Sequence, residues 1–335
     1  MKDILVTGGL GFIGSHTVVS LVEAGYNPII LDNLSNSRLS AIDGIESITG
    51  KSVHFIKGDV NDPTIYLSVF EQFEIQAVIH FAAYKAVGES VEKALVYYRN
   101  NVGGLITLLE AMEKANLSNL VFSSSCTVYG EPDNVPVTEL EPTKAATSPY
   151  GATKQMCEVI LQDTLWCKTQ CLRYFNPVGA HKSGKIGELP LGVPNNLVPY
   201  ITQTAAGLRN ELTVHGNDYN TRDGSNIRDY IHVVDLAEAH VAALDRLLTP
   251  ELADRFEVFN IGTGNGNTVL EVIEAFEKVN ATKVPYKIGP RRAGDVVQVW
   301  ANTQKINKVL GWKARFSIED MMRDAWNWQK NAPKD

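Results

Sequence analysis

The sequence of 335 residues has few cysteines, no long apolar run and no excess of positive charge. Its four cysteines, Cys126, Cys157, Cys167 and Cys171, show no CxxC spacing, which disfavours a zinc site or a disulfide set and favours reduced thiols. Without a signal peptide or a run of about 18 apolar residues, the chain is expected to be cytoplasmic and not membrane-bound. A net charge of −7 lacks the basic patch that nucleic acid binding requires.

What the first half does contain is a regular alternation of short apolar runs with helical patterns. The runs that predict strands are 4–6, 28–31, 53–56, 77–83, 120–122 and 170–175. Strands alternating with helices indicate a parallel, doubly wound sheet that binds ligands at the carboxyl ends of its strands. We predict an α/β Rossmann-type domain over residues 1–180 and a smaller mixed α/β substrate domain over 181–335, with segments near 229–262 returning to the main sheet.

A glycine-rich turn follows the first apolar run. It carries Gly8, Gly11 and Gly14 and is followed by a helical pattern that ends near Gly25. Glycines at these positions let the backbone turn tightly and approach a pyrophosphate, whose charge is favoured at the N-terminus of a helix. Strand, turn and helix together predict a dinucleotide-binding site.

Residues at the ends of the next strands bear on the choice of dinucleotide. The carboxylate of Asp32 can accept from ribose hydroxyls and would repel a 2′-phosphate, which favours NAD over NADP. Arg38 nearby leaves NADP as the alternative. Asp59 ends the third strand, where it suits the adenine, and the small Ala82 and Ala83 at the end of the fourth strand allow the backbone to lie against the cofactor.

A serine, a tyrosine and a lysine form the candidate catalytic group. Ser125 follows the fifth strand, and Tyr150 and Lys154 are four residues apart, on one face of a helix that Ser148 and Pro149 predict to begin there. An ammonium ~4 Å from a phenolate, at an effective dielectric of ~20, stabilises it by ~4 kcal/mol and lowers a pKa near ~10 by ~3. The tyrosine could then act as a base, although an ordinary surface helix face is the alternative.

The second half is interpreted as the substrate side. Arg228 and Arg292 are two separated cations in an acidic protein, and they suggest capture of a diphosphate by bidentate guanidinium contacts. Each alone is equally compatible with a surface salt bridge. Asn176, Asn195 and Asn196 add donors and acceptors of the kind that sugar hydroxyls and phosphates use.

Several motifs resemble those of one enzyme family in content and in order. They are TGGLGFIGSH, LDNLSNS, IHFAAYKAVGES, SSSCTVYG, SPYGATK, LRYFNPVGAH, GNDY, IRDYIHVVDLA and RAGD. Similar motifs stand in this order in the UDP-galactose (UDP-glucose) 4-epimerases of the extended short-chain dehydrogenase/reductase superfamily, and the resemblance covers essentially the whole chain. It implies an NAD-dependent isomerase that interconverts UDP-hexoses through a transient 4-keto sugar.

The resemblance also implies roles for individual residues. Tyr150 would be the general base, Lys154 would hold the nicotinamide ribose and lower the Tyr150 pKa, and Ser125 would hydrogen-bond the reacting hydroxyl. The implied cofactor contacts, with the glycines above, are Phe12, Ile13, Asp32, Asn33, Leu34, Ser35, Asn36, Ser37, Asp59, Val60, Phe81, Ala82, Ala83, Tyr84, Lys85, Asn100 and Phe175. The substrate candidates are Ser125, Asn176, Asn195, Asn196, Leu197, Thr213, Val214, His215, Arg228, Arg292, Asp295 and Val299.

Two of these positions depart from the family pattern. His215 stands where an aromatic residue often stacks on uracil. Val299 stands where galactose-restricted members carry a bulky tyrosine, so we expect room for the 2-acetamido group of UDP-N-acetylglucosamine and UDP-N-acetylgalactosamine. The family further implies a homodimer through the helices after Glu89 and after Tyr150.

Two other functions are weighed against the epimerase. A nucleotide-sugar 4,6-dehydratase shares the fold, the cofactor and the Tyr-Lys pair, but its family places an acidic pair directly after the serine motif, where this chain has Cys126 and Thr127. A non-catalytic NAD-binding regulator has no need of the intact Ser125, Tyr150 and Lys154.

Overall fold

The computed structural model describes residues 1–249, 254–292 and 295–333, so Ala293 and Gly294 of the RAGD motif lie outside the described residues. The strands are β1 Asp3–Thr7, β2 Asn27–Asp32, β3 His54–Lys57, β4 Ile75–His80, β5 Asn119–Ser125, β6 Lys168–Tyr174, β7 Asn176–Val178, β8 Leu212–His215, β9 Ile227–Arg228, β10 Tyr230–His232, β11 Phe256–Ile261, β12 Asn267–Thr268, β13 Tyr286–Gly289 and β14 Gln298–Val299. The α-helices are α1 Phe12–Glu23, α2 Ala41–Thr49, α3 Pro63–Gln72, α4 Val87–Glu92, α5 Ala94–Tyr97, α6 Gly104–Lys114, α7 Pro149–Asp163, α8 Leu197–Ala205, α9 Val233–Leu247, α10 Val269–Asn280, α11 Gln304–Leu310 and α12 Ile318–Asn331.

A seven-stranded sheet dominates the architecture, with strand order β11-β6-β5-β4-β1-β2-β3. The pairings from β3 to β6 are all parallel. The chain moves outward from β1 to β3 and then crosses back to β4, so the order reverses between β1 and β4. In such sheets ligands bind at the carboxyl ends of the strands beside the reversal. The predicted Rossmann-type α/β fold is confirmed.

The chain divides into two compact units. Unit 1 comprises residues 1–130, 142–174 and 237–259, and unit 2 comprises 131–141, 175–236 and 260–335. The division therefore crosses the chain at several points, and residues 237–259, within the segment near 229–262 that was expected to return to the main sheet, belong to unit 1. Unit 2 holds three small sheets, β7 with β10, β8 with β13, and β12-β9-β14.

Helix α7 begins where its sequence predicts. Ser148 is its N-cap and accepts a hydrogen bond from the Gly151 N–H at 3.2 Å, and Pro149 is its first residue. One face of the helix is buried and carries Lys154 and Glu158, four residues apart. The helix therefore presents charged side chains to the interior of unit 1.

The segment from Glu89 to Asn116, whose sequence predicts a long helix interrupted near residues 100–104, forms α4, α5, a π-helix over Tyr98–Gly103, and α6. Asn101 lies in the π-helix and is buried. Its side chain accepts from the Tyr84 N–H at 2.9 Å and donates to the Tyr84 carbonyl at 3.0 Å and to Thr153 Oγ1 at 3.1 Å. π-Helical turns are frequent at functional sites, and this one ties the loop after β4 to α7.

In the described parts of the chain, no helix combines the length and the apolar character needed to cross a membrane. All four cysteines are free thiols, and Cys157, Cys167 and Cys171 are buried.

Candidate active site

The glycine turn between β1 and α1 is as tight as its sequence suggests. Gly8 has a φ of +70°, and a Cβ on it would lie 2.8 Å from the Ala82 nitrogen. A Cβ on Gly14 would lie 2.2 Å from the Gly8 carbonyl oxygen. Gly11 is the N-cap of α1 and supplies no side-chain cap, so the first N–H groups of the helix remain available to an anion. These features fit a dinucleotide pyrophosphate.

The carboxylate of Asp32 is fixed at the end of β2 and is only 7% exposed. Its Oδ2 accepts from the Leu10 N–H at 3.1 Å, and its Oδ1 accepts from the Leu34 N–H at 2.9 Å and from Ser37 Oγ at 2.7 Å. A carboxylate has about four acceptor positions, so these bonds leave about one for a ribose hydroxyl. The arrangement fits the predicted role of Asp32.

Asp59, after β3, is the second acidic residue of the predicted cofactor site. It accepts from Asn33 Nδ2 at 3.0 Å and from the N–H and Nδ2 of Asn61, both at 2.8 Å. Partial burial opposes ionisation, but these hydrogen bonds prevail and lower the pKa of Asp59. The carboxylate is therefore an acceptor at neutral pH.

The other predicted cofactor residues of unit 1 follow the carboxyl ends of the strands, in loops or in the first residues of helices. They are Phe12, Ile13, Ser35, Asn36, Val60, Phe81, Ala82, Ala83, Tyr84, Lys85 and Asn100. Phe175 is the exception, because it is the first residue of unit 2 after β6.

The predicted catalytic group is brought together within unit 1. Ser125, at the end of β5, hydrogen-bonds the phenol of Tyr150 near the start of α7. The Ser125 oxygen also accepts from the Thr127 N–H at 3.2 Å and from Thr127 Oγ1 at 3.0 Å. Lys154, one helical turn after Tyr150, donates from Nζ to the Ser123 carbonyl at 2.6 Å. Strand β5 and helix α7 thus hold all three residues.

The pKa of Tyr150 lies above its ordinary value near 10. Loss of hydration on burial is the main cause and the neighbouring Tyr174 adds to it, whereas the hydrogen bond from Ser125 opposes it. The ammonium of Lys154 is not among the groups that shift this pKa, and its Nζ donates to the Ser123 carbonyl. That Lys154 lowers the pKa of Tyr150 therefore stays a prediction.

Burial also governs the two basic groups beside Tyr150. It lowers the pKa of Lys154, and the nearby Cys157 and Glu158 act in the opposite direction. Burial and the charge of Lys154 lower the pKa of His80 to about 3. His80 is therefore neutral, and its Nδ1 shares a 2.7 Å hydrogen bond with Thr7 Oγ1. It is a core residue and not a competing base.

In unit 2 the two predicted arginines meet at one carboxylate. Arg292 donates to Asp295 through Nη2 at 2.9 Å and Nε at 3.2 Å. Arg228 Nη2 lies 3.7 Å from Asp295 Oδ1, and both of these side chains are nearly buried. Two guanidinium groups gathered at one acidic group can bind a diphosphate if it takes the place of the carboxylate.

The remaining substrate candidates are distributed over unit 2. Val299, on β14, is in register with Arg228 of β9. Val214, on β8, packs into the core of unit 2, so its side chain is not available to a ligand. Its neighbour His215 is exposed, and its Nδ1 lies 3.3 Å from the Pro290 carbonyl oxygen. Thr213, also on β8, is half-buried.

The predicted asparagines lie at the starts of α8 and β7. Asn196 is the N-cap of α8 and donates to Glu188 Oε1 at 2.6 Å. Asn195 precedes it and is exposed, and Leu197 is the first residue of the helix. Asn176 begins β7.

Sequence reasoning missed Asp229, the residue after Arg228. It is fully buried, and its Oδ1 accepts from the Thr263 N–H at 2.8 Å and from Thr263 Oγ1 at 2.7 Å. Its Oδ2 accepts at 3.1 Å from both the Gly264 and the Ala301 N–H groups. Asp229 thereby fixes the loop after β11 and the chain after β14. Nothing in the local sequence signals these long-range acceptor contacts.

A nucleotide-binding Rossmann sheet with a Ser-Tyr-Lys group on β5 and α7 defines an enzyme of the extended short-chain dehydrogenase/reductase class. A family model described as GDP-mannose 4,6 dehydratase matches residues 5–325. The UDP-glucose 4-epimerase of Bacillus subtilis is 52% identical over 98% of this chain and 97% of its own length. The chain belongs to the UDP-glucose 4-epimerase family.

Solved structures give the same result. The UDP-glucose 4-epimerase of Stenotrophomonas maltophila, with bound NAD and formylated UDP-arabinopyranose, is 47% identical with a TM-score of 0.95 and covers 99% of this chain and 98% of its own. The enzyme of Bifidobacterium longum, in complex with NAD⁺ and UDP, is also 47% identical, with a TM-score of 0.94 and 99% of both chains covered.

Proposed function

We propose that the protein inverts the C4 hydroxyl of UDP-hexoses and interconverts UDP-glucose and UDP-galactose through a 4-keto sugar. The observation that carries this proposal is the hydrogen bond between Ser125 and Tyr150, with Lys154 anchored one turn further along the same helix. The test is to incubate purified protein with UDP-galactose without added NAD. Formation of UDP-glucose supports the proposal, and absence of turnover by correctly folded protein contradicts it.

The reaction balances with one proton and one hydride. Bound NAD supplies a hydride acceptor for the C4 hydrogen and returns it, so no net oxidation occurs. Tyr150 takes the proton of the C4 hydroxyl and later gives it back, and Ser125 orients that hydroxyl. Inversion requires the ketone to present its other face before hydride returns. The glycine turn, Asp32 and Asp59 are the residues that would hold the cofactor, and it must stay bound throughout.

The raised pKa of Tyr150 adds a condition to this scheme. The protein's own groups keep the phenol protonated at neutral pH. We infer that Tyr150 ionises only when the ligands are bound, because the positive charge of oxidised nicotinamide favours the phenolate. Lys154 then contributes once its ammonium is shared with the cofactor ribose, as the family implies.

Arg228 and Arg292 bind the diphosphate of the substrate in this proposal. Asp295 already holds both guanidinium groups in one place. A diphosphate carries more negative charge than one carboxylate and accepts two forked guanidinium contacts, so it can displace Asp295 from them. Asp295 is then released to accept from other donors of the nucleotide.

Val299 supports a broader substrate range. It is a small side chain in register with Arg228, and we propose that UDP-N-acetylglucosamine and UDP-N-acetylgalactosamine are also interconverted. Val299→Tyr is expected to lower kcat/KM for the N-acetylated pair about 100-fold, because overpacking excludes the acetamido group, while the plain sugars are converted as before. Val299→Ala is the matched control and should retain both activities. Equal effects of Val299→Tyr on both sugar pairs would refute the idea.

The 4,6-dehydratase remains the less supported alternative, although the matching family model bears that description. The short 3₁₀-helix Cys126–Tyr129 follows Ser125 directly and carries no carboxylate to expel a C6 hydroxyl. We therefore favour the epimerase.

A homodimer is proposed from the exposed apolar side chains on α4 to α7. Leu95 is 83% exposed, Val91 66% and Val159 57%. A second copy of the chain would cover them, as the family implies for these helices. The cytoplasmic location stays a prediction.

A further inference from the structure

Ser123, Ser124 and Ser125 follow one another on β5, and each of them is hydrogen-bonded to a different residue of α7. The three partners on α7 are spaced four residues apart. Ser125 bonds the Tyr150 phenol, and the Ser123 carbonyl accepts from Lys154 at 2.6 Å. Between them, Ser124 donates its hydroxyl to Glu158 Oε1. Residues 150, 154 and 158 lie on one face of the helix because successive positions differ by about one turn. Glu158 thus makes the third of these hydrogen bonds between α7 and β5, and it has no role in the proposed reaction.

Glu158 is in turn held by a buried ion pair. Arg173, on β6, donates to it from Nε at 2.9 and 3.2 Å and from Nη2, and both side chains are less than 10% exposed. The Arg173 guanidinium also stacks on the ring of Tyr129 at 4.8 Å, in the 3₁₀-helix that follows Ser125. One ion pair therefore ties together α7, β5, β6 and the turn after the catalytic serine.

Such a pair is a costly way to stabilise a core. Burying two charges costs about as much as their attraction returns, and apolar replacements are often neutral or stabilising. A forked contact between a guanidinium and a carboxylate does, however, fix the orientation and the register of the two elements that carry the groups. The Glu158–Arg173 pair is therefore better explained as a means of positioning α7 than as a source of folding stability.

We propose that Glu158 is a positioning residue of the epimerase: its ion pair with Arg173 and its bond to Ser124 fix α7 against β5, and with it Tyr150 and Lys154 against Ser125. This inference rests on the proposed roles of those three residues. Glu158 itself contacts neither substrate nor cofactor in this scheme.

The charge of Glu158 has a second consequence for Lys154. The titratable and charged groups around Lys154 are Cys157 and Glu158 on its own helix, Tyr150 at its start, Cys171 and Arg173 on β6, and His80 on β4. His80 is neutral, and burial raises the pKa values of Cys157 and Cys171, so both thiols are uncharged near neutral pH. After Cys157, Glu158 is the neighbour that most opposes the lowering of the Lys154 pKa by burial, and it is held in place by Arg173.

The test compares Glu158→Gln, Arg173→Gln and the double variant. Each single variant leaves one buried charge unpaired and is expected to lower Tm by roughly 10 °C, and the double variant should regain most of this loss. Glu158→Gln should lower kcat roughly 10- to 100-fold with little change in KM, because Tyr150 and Lys154 lose their placement.

The alkaline limb of the pH dependence of kcat provides a readout that a change in folding stability alone would not move. In Glu158→Gln it should move to lower pH by on the order of one unit, because Lys154 loses its proton earlier without the neighbouring anion. In the double variant the Arg173 cation is removed as well, so the limb should move back toward its wild-type position, while kcat stays low although Tm has returned. Glu158→Asp keeps the charge and shortens the reach, so it should restore the limb but only part of kcat.

A control is the partly buried pair Arg246 with Glu257 of unit 1, at 2.7 Å. Glu257→Gln should lower Tm without moving the alkaline limb. If the double variant regains both Tm and the wild-type kcat, Glu158 is only structural and the inference is overturned. If the unmodified protein does not convert UDP-galactose to UDP-glucose in the same assay, the proposed function has failed instead, so the two failures are distinguishable.

Discussion

Replacing Tyr150 by phenylalanine is expected to lower kcat for the conversion of UDP-galactose to UDP-glucose by roughly 10²- to 10⁴-fold. The change removes one oxygen, and with it the group that takes the C4 proton and the partner of Ser125. The helix should not move, because Lys154 and Glu158 keep their bonds to β5. KM for UDP-galactose should therefore change little, which steady-state kinetics on the purified variant can establish.

Tyr66→Phe is the matched control for this experiment. Tyr66 is fully buried in the core of unit 1, and its hydroxyl has no hydrogen-bond partner among the described residues. Removing that oxygen should leave both kcat and KM unchanged. If Tyr150→Phe were as active as Tyr66→Phe, the phenol would not be the base, and the proton acceptor would have to be sought elsewhere.

Much of unit 1 could be predicted from local sequence because its signals are local. Each of the first six apolar runs became a strand, and the order of strand and helix implied the parallel sheet. Ser148 and Pro149 marked the start of α7 because capping depends on neighbouring residues only. Ser125, Tyr150 and Lys154 could then be placed together, since β5 and α7 both deliver them to one edge of the sheet.

What could not be predicted depends on partners far apart in the chain. Glu158 follows Lys154 at the same helical spacing, but its role depends on Arg173, whose position is fixed by the sheet. Asp229 likewise acquires its contacts only when the loops at 263 and 301 fold onto it. The upward shift of the Tyr150 pKa could not be predicted either, because burial is its main cause and a sequence carries no direct measure of burial.

The second large effect is expected for the glycine turn. Gly14→Ala places a methyl group 2.2 Å from the Gly8 carbonyl oxygen and 2.8 Å from the Gly9 Cα, and both are backbone atoms that cannot turn aside. The turn must open, which we expect to cost about 1–3 kcal/mol and to weaken NAD binding about 10- to 100-fold. NAD released from the denatured protein, measured per chain, should fall accordingly, and epimerase activity should then depend on added NAD.

Gly88→Ala provides the comparison, because a Cβ at that position in α4 meets no atom within 4 Å. It should carry as much NAD as the unmodified protein and need none added. Restoration of Gly14→Ala activity by excess NAD would show that the catalytic group on β5 and α7 is intact and that only cofactor retention was lost. If instead Gly14→Ala and Gly88→Ala retained equal NAD, the backbone of this turn would not be what holds the pyrophosphate.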